Sequence, residues 1–308
     1  MNRDEYHNPV LLHPSVEGLI ADKNGIYVDA TFGGGGHSRE VLSRLSSSGS
    51  LIGFDQDQDA AKNAPDDKRF RLIQNNFRYL KNNLRFLGIS KIDGLLADLG
   101  VSSHQFNAAD RGFSIRGDAK LDMRMSKTAE VDAVTVVNDY PEEDLAKVFW
   151  EYGELRNART IAGKIAGARA VEKIQTTEQL MDVIGALAPK PKWNQFMARV
   201  FQAIRIEVNQ EMEALKELLI QSGECLKPGG KLVVISYHSL EDRLVKRYMK
   251  AGNFEGDVAR DFYGNQLRPF TPDRGMPIVP GKEEIELNNR ARSAKLRIAT
   301  RNGDDHKK

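Results

Sequence analysis

Short apolar runs alternate with segments of helical period through the first hundred residues, the pattern of a parallel sheet whose strands are joined by crossover helices. Ile26 to Ala30, Ser50 to Asp55, Phe70 to Asn75 and Ile92 to Asp98 predict four strands, with helices between them. Beyond Leu99 the alternation stops, and the polar, glycine-containing stretch Ser102 to Met125 predicts a long functional loop. Glu142 to Tyr152, Asn157 to Val171 and Thr177 to Leu187 then carry helical period, and Thr176 with Gln179 has the spacing of a capping box. A helical insertion is expected here. After it, Ile204, Val208, Met212, Leu215 and Leu219 recur at spacings of three or four and predict one long amphipathic helix closed by Lys227-Pro-Gly-Gly. Lys231 to Tyr237 predicts a buried strand, Ile285 to Leu287 with Leu296 to Ile298 a final antiparallel pair, and Asn302 to Lys308 a disordered tail.

Composition narrows the class. The chain has 308 residues, 40% of them hydrophobic, enough for two domains with a sizeable core. A single cysteine, Cys225, excludes an intramolecular disulfide framework and a multi-cysteine zinc site, and favours a reducing compartment. No leader-like apolar segment opens the chain, and no stretch approaches the roughly 18 apolar residues of a membrane span, so a cytoplasmic protein is expected. No metal-ligand cluster stands out. The net charge of +2 does not establish a nucleic-acid partner. Two local runs say more: four basic and no acidic residues between Lys190 and Arg205, and five basic and no acidic residues between Arg290 and Arg301. Together they suggest a phosphate-binding surface.

The candidate chemistry begins where the first strand meets a helix predicted at Ser38 to Leu45. Gly33-Gly-Gly-Gly36 at that junction lets a cofactor approach bare backbone, and the helix amino end presents unpaired N–H groups. Asp55 ends the next strand, where a carboxylate can accept hydrogen bonds from both ribose hydroxyls of a nucleoside-containing cofactor. A dinucleotide fingerprint would need a third glycine where Ser38 stands, which weakens an NAD-linked oxidoreductase, and the absence of Gly-Lys-Ser/Thr excludes a P-loop. S-adenosylmethionine has no pyrophosphate; it needs close backbone, a ribose carboxylate and an apolar wall for adenine, for which Phe77 is the candidate. Asp98 closes the fourth strand, where open α/β sheets place ligands and reacting groups.

Eight segments in order carry a resemblance: His7-Asn-Pro-Val-Leu-Leu, Asp29-Ala-Thr-Phe-Gly-Gly-Gly-Gly-His-Ser, Asp98-Leu-Gly-Val-Ser-Ser-His-Gln, Asp110-Arg-Gly-Phe-Ser, Leu121-Asp-Met-Arg-Met, Phe201-Gln-Ala-Ile-Arg-Ile-Glu-Val-Asn, Ile235-Ser-Tyr-His-Ser-Leu-Glu-Asp-Arg and Arg290-Ala-Arg-Ser-Ala-Lys-Leu-Arg. Spread over nearly the whole chain, they resemble the bacterial ribosomal RNA small subunit methyltransferase H family. The chain departs from that pattern at Asn289, where the family usually has Pro, and at Trp193-Asn-Gln-Phe-Met-Ala, where a His-Pro stretch is usual.

The resemblance implies a class I S-adenosylmethionine-dependent methyltransferase sheet, Rossmann-like α/β, interrupted by a helical domain. It places the first part of the methyltransferase domain at 1–108, a mainly helical substrate-recognition insertion at 109–210, the second part at 211–301 and the tail at 302–308. It implies methylation of the exocyclic N(4) amine of a cytidine in the decoding region of 16S rRNA, with the small ribosomal subunit as partner and S-adenosyl-L-methionine as cofactor. By position, the cofactor contacts would be Gly35, Gly36, His37, Asp55, Phe77, Asp98 and Gln105. Asp98 is also the candidate catalytic acceptor for an amine N–H, with Asp122 and the Ser236-Tyr-His-Ser stretch as further candidates. A flipped base needs a stacking aromatic, for which Phe113 and Tyr237 are candidates. The competing expectations are a non-catalytic ribosome-assembly factor that retains the pocket, and the NAD-linked oxidoreductase.

Overall fold

The computed structural model describes residues 9–102, 105 and 111–303. His7, Asn8, Asp110 and most of the predicted tail lie outside the described residues. Those described fall into two compact units, residues 101–211 and the remainder.

The first unit is built on seven strands: β1 (Ile26–Asp29), β2 (Ser50–Asp55), β3 (Phe70–Gln74), β4 (Ile92–Asp98), β5 (Leu226–Ser236), β6 (Phe270–Pro272) and β7 (Lys295–Arg301). Their order across the sheet is β3-β2-β1-β4-β5-β7-β6. Strands β1 to β5 pair in parallel, and β7 runs antiparallel between β5 and β6. This is the class I methyltransferase sheet that the resemblance implies, and the expected fold class is borne out.

Alternation with a period of two explains why both faces are covered. Val28, Ile52, Leu95, Ala97, Leu232 and Val234 face one core, completed by helices α3 (Leu80–Phe86), α9 (Glu211–Cys225) and α10 (Ser239–Ala251). Tyr27, Leu51, Leu96, Val233 and Ile235 face the other, completed by α1 (Leu12–Leu19) and α2 (Gly36–Arg44). A β-strand flips its side chain at every residue, so four fully apolar runs supply both layers at once.

The second unit packs α4 (Ala133–Asp139), α5 (Glu142–Glu151), α6 (Ala158–Arg169), α7 (Thr177–Ile184) and α8 (Trp193–Asn209) around Val136, Phe149, Ile161, Leu180, Met197 and Ile204. The capping box at α7 forms as its spacing predicts, with Thr176 accepting from the Gln179 N–H and the Gln179 side chain accepting from the Thr176 N–H.

Two expectations are corrected. The single long helix is two, broken at Gln210 in the left-handed region at φ 50°. Just before the break, the Asn209 amide donates to the Arg205 and Met123 carbonyls and accepts from the Met125 N–H, so the end of α8 serves the preceding loop. Ile285 to Leu287 lies not in a strand but in α11 (Lys282–Leu287), whose first turn carries Glu283 and Glu284; Leu296 to Ile298 does pair antiparallel, with β5. Within the stretch Ser102 to Met125, Leu121, Met123 and Met125 sit in the second unit's core.

Candidate active site

The three parallel strands at the centre of the first unit, β1, β2 and β4, each end in an aspartate: Asp29, Asp55 and Asp98. A parallel sheet gathers its carboxyl ends on one rim, so the three carboxylates share one neighbourhood. Each has a different task there.

Asp29 is 1% exposed and consumed by structure. One oxygen accepts the Ser38 hydroxyl at 2.7 Å and the other the Thr31 N–H at 3.1 Å, which fastens the glycine loop and the first turn of α2 to the end of β1. Burial pushes its carboxyl above the ordinary range, against the pull of Ser38.

Asp55 holds the glycine loop from the other side. It accepts the Gly33 N–H at 2.7 Å and the Asp57 N–H at 2.8 Å. Burial pushes its carboxyl up to about 6, with these two donors pulling the other way. Each oxygen still has acceptor capacity toward the rim. On the adjoining strand end, Asn76 donates to Gln56 at 2.9 Å and caps the turn that places Phe77, half-buried against the sheet core.

The loop between them is a cradle that side chains would fill. Gly35 lies at φ 74°, and a Cβ there would stand 2.9 Å from the Phe32 ring and from the Arg39 guanidinium. A Cβ on Gly36 would stand 2.2 Å from Pro9. Only bare backbone fits at this floor.

Asp98 is the most heavily worked of the three. Its backbone N–H donates to the Thr31 hydroxyl at 2.6 Å, and one carboxylate oxygen accepts the Tyr237 phenol at 2.7 Å. The other lies 3.8 Å from His37 Nδ1. Burial raises the Asp98 carboxyl to about 7; the Tyr237 hydrogen bond opposes this and the nearby Glu241 adds to it. The side chain keeps 24% of its surface open.

His37 is buried, and burial lowers its pKa, which keeps it neutral. Its Nε2 lies 3.2 Å from the Val10 carbonyl. That carbonyl can only accept, so Nε2 carries the proton and Nδ1 presents a lone pair. Two acceptors, His37 Nδ1 and the Asp98 oxygen not bound by Tyr237, therefore lie 3.8 Å apart, an arrangement that suits an N–H donor.

The MraW methylase family matches residues 4–302. Ribosomal RNA small subunit methyltransferase H of Flavobacterium johnsoniae is 59% identical over 295 residues, 96% of this chain and 97% of that protein. Its namesake in Christiangramia forsetii is likewise 59% identical over 295 residues, at 96% and 97% coverage. The namesake in Bacteroides thetaiotaomicron is 54% identical over 301 residues, 97% of this chain and 99% of that protein. This chain belongs to the MraW methylase family.

Among the positions carried over from the resemblance, the structure gathers Gly35, Gly36, His37, Asp55, Phe77 and Asp98 at the carboxyl rim of this MraW-family sheet. Gln105 belongs to the other unit, where it is buried, accepts the Ser102 N–H at 3.0 Å and donates its own N–H to the Ser102 hydroxyl at 3.2 Å. Two further candidates are reassigned. Phe113 is 7% exposed in the second unit's core and cannot offer a ring face to a base. Asp122 is spent on Arg124, which it accepts at 2.9 and 2.7 Å.

Two contributors to the site escaped sequence reasoning. Thr31 and Val10 act through a hydroxyl and a carbonyl whose partners only the fold reveals. Tyr237, a candidate both as a stacking ring and within the Ser236-Tyr-His-Ser stretch, binds Asp98 through its hydroxyl. Its backbone N–H in turn donates to Glu241, buried at 2% exposure in the capping box that starts α10. The one signal available was the repeated aspartate closing successive apolar runs.

Proposed function

We propose that this chain methylates the exocyclic N(4) amine of a cytidine in the decoding region of 16S rRNA. It is a ribosomal RNA methyltransferase of the MraW family, and its methyl donor is S-adenosylmethionine. The relatives' name directs the reading to small-subunit RNA, and the inserted helical unit is assigned to substrate recognition by the resemblance alone.

The single observation that carries the finer reading is the Asp98 carboxylate, with one oxygen fixed by Tyr237 and the other beside neutral His37. A cytosine amine is a poor nucleophile because its lone pair is shared with the ring. An acceptor that takes one of its N–H groups restores part of that nucleophilicity and then receives the proton. A carboxylate raised to about 7 is matched to both tasks near neutral pH. Because His37 is neutral, it does not draw the carboxylate into an ion pair.

For the donor, the glycine floor at Gly35 and Gly36 accommodates the methionine part, Asp55 the ribose hydroxyls and Phe77 the adenine face. Gln105 is assigned to the cofactor by the resemblance alone. When bound, S-adenosylmethionine supplies an electrophilic methyl group. The protein's main task is then alignment, which can be worth roughly 7 to 11 kcal/mol.

Nucleoside mass spectrometry of 16S rRNA from cells with and without the gene tests the assignment. Loss of N(4)-methylated cytidine without the gene, restored by the wild-type chain and not by Asp98→Asn, is the expected result. Unchanged N(4)-methylcytidine would refute it.

A further inference from the structure

Two of the three most exposed aromatic rings among the described residues are neighbours, Phe262 at 96% and Tyr263 at 85%. Leaving two large rings in water disfavours the free protein unless something covers them. They are not on a loose loop. The Asp261 carboxylate accepts the Tyr263 N–H at 2.9 Å, the Asn265 N–H at 2.8 Å and the Asn265 amide at 2.9 Å. The Asp261 N–H donates to the Asn265 carbonyl and the Leu267 N–H to the Ala259 carbonyl, with a bridge at Arg260 and Gln266 between them. Gly264 takes the positive φ of 85° that closes the turn. The two rings meet edge to face with centroids 5.5 Å apart, a preorganised pair on a pinned hairpin tip.

The surroundings say what would cover them. From Lys246 to Arg268 the chain carries five cations, Lys246, Arg247, Lys250, Arg260 and Arg268, against the carboxylates Glu255, Asp257 and Asp261. Asp261 is turned inward to its own loop, which leaves four exposed cations, Lys246, Arg247, Lys250 and Arg260, against two exposed carboxylates, Glu255 and Asp257. Rings for base faces, flanked by cations for phosphates, are the chemistry of single-stranded nucleic-acid binding. An apolar protein surface would not call for that excess of exposed positive charge.

The hairpin is far from Asp98. Helix α10 starts beside Tyr237 at the carboxyl end of β5 and runs 13 residues, about 20 Å, away from that rim. The hairpin then leads into Phe270, which pairs with Arg301 at the opposite rim of the sheet.

We propose that Phe262 and Tyr263 stack on unpaired bases of the RNA substrate, as an anchor remote from the reaction centre. The proposal rests on the assignment of RNA as substrate. It makes the hairpin a contact for RNA beyond the methylated nucleotide, so it acts on capture of a large substrate and not on the methyl-transfer step.

The test compares the full chain with Phe262→Ala/Tyr263→Ala and with the ring-preserving pair Phe262→Tyr/Tyr263→Phe. The substrates are unmethylated small ribosomal subunits, with a single-stranded oligouridylate about 12 nucleotides long as a binding probe. The alanine pair is expected to raise KM for subunits and Kd for the oligouridylate at least about fivefold, with kcat and S-adenosylmethionine affinity unchanged. The ring-preserving pair is expected to match wild type. Unchanged oligouridylate affinity in the alanine pair overturns the proposal. It does so whether subunit binding falls, which identifies a protein partner, or self-association falls, which identifies a second copy. Failure of the substrate assignment reads differently: the wild-type chain itself would then not methylate the subunits.

Discussion

Tyr237 and Asp98 come from adjacent strand ends 139 residues apart in sequence, and the phenol donates to the carboxylate across 2.7 Å. Asp98 is therefore not a lone acceptor at the mouth of a sheet but half of a pair. The charged and titratable groups around it are His37 and Asp29 from β1 and α2, Tyr237 and Glu241 from the start of α10, and Glu284 acting on Tyr237. Burial and Asp98 itself hold the Tyr237 phenol well above its ordinary pKa, so it remains the donor across the working range. Its bond lowers the Asp98 pKa. Tyr237→Phe should let that pKa rise above about 7. The acidic limb of the kcat profile should move to higher pH, and activity should fall more at pH 6 than at pH 8.5. A profile that drops uniformly would reduce Tyr237 to a packing residue.

The same carboxylate makes stability depend on pH. An unfolded Asp98 releases its proton near 3.8 and the folded one near 7. The folded state thus binds the extra proton between these values, and its stability declines as pH rises across that window. Three pKa units correspond to at most about 4 kcal/mol. Asp55, raised to about 6, acts with the same sign over a narrower range. Asp98→Asn should therefore melt higher than wild type at pH 8 in the absence of cofactor while being inactive, and the gap should close by pH 4. Equal thermal shifts at both pH values would contradict this account.

Gly35→Ala probes the glycine floor. The new methyl group must enter at φ 74° and press on the Phe32 ring at 2.9 Å, while the Arg39 guanidinium at the same distance can swing aside. A left-handed non-glycine residue costs about 1 to 2 kcal/mol before any clash. The expected outcome by calorimetry is at least a tenfold loss of S-adenosylmethionine affinity with the helical circular-dichroism signal retained. Wild-type affinity would remove Gly35 from the cofactor site.

The sheet was legible because the central parallel strands β1, β2, β4 and β5 are buried on both faces, so each carries a short apolar run, while the edge strand β3 is only partly buried. The cofactor rim was legible for the same reason: Asp55 and Asp98 interrupt those runs where they end. What remained hidden has physical causes. Ile285-Glu-Leu287 alternates over only three residues, too short for period two to outweigh the acidic first turn of a helix. The break at Gln210 left no trace because both helices keep the spacing of three or four, and the interruption depends on Asn209 finding Met123 and Met125 more than 80 residues away. Tyr237 and Thr31 carry ordinary strand-end chemistry until the fold brings each to Asp98.

The basic runs changed most between sequence and structure. Arg297 donates to Asp242 at 2.7 and 3.2 Å, Lys295 joins them at 3.2 Å, and Arg301 donates to the Gly223 carbonyl at 2.7 Å. In the other run Arg205 pairs with Glu211 at 2.8 Å and Arg199 donates to the Gly153 and Glu154 carbonyls. These cations hold the protein together, whereas Lys190, Lys192 and Arg292 are exposed. The two classes should separate cleanly on substitution. Arg297→Ala leaves Asp242, 13% exposed, without its guanidinium partner and should cost on the order of 3 kcal/mol of stability in urea unfolding. Arg292→Ala should leave unfolding unchanged and reduce the slope of log affinity for RNA against log salt by roughly 0.7 to 0.9. A lost salt slope in Arg297→Ala with normal stability would mean that the Asp242 pair opens to bind phosphate.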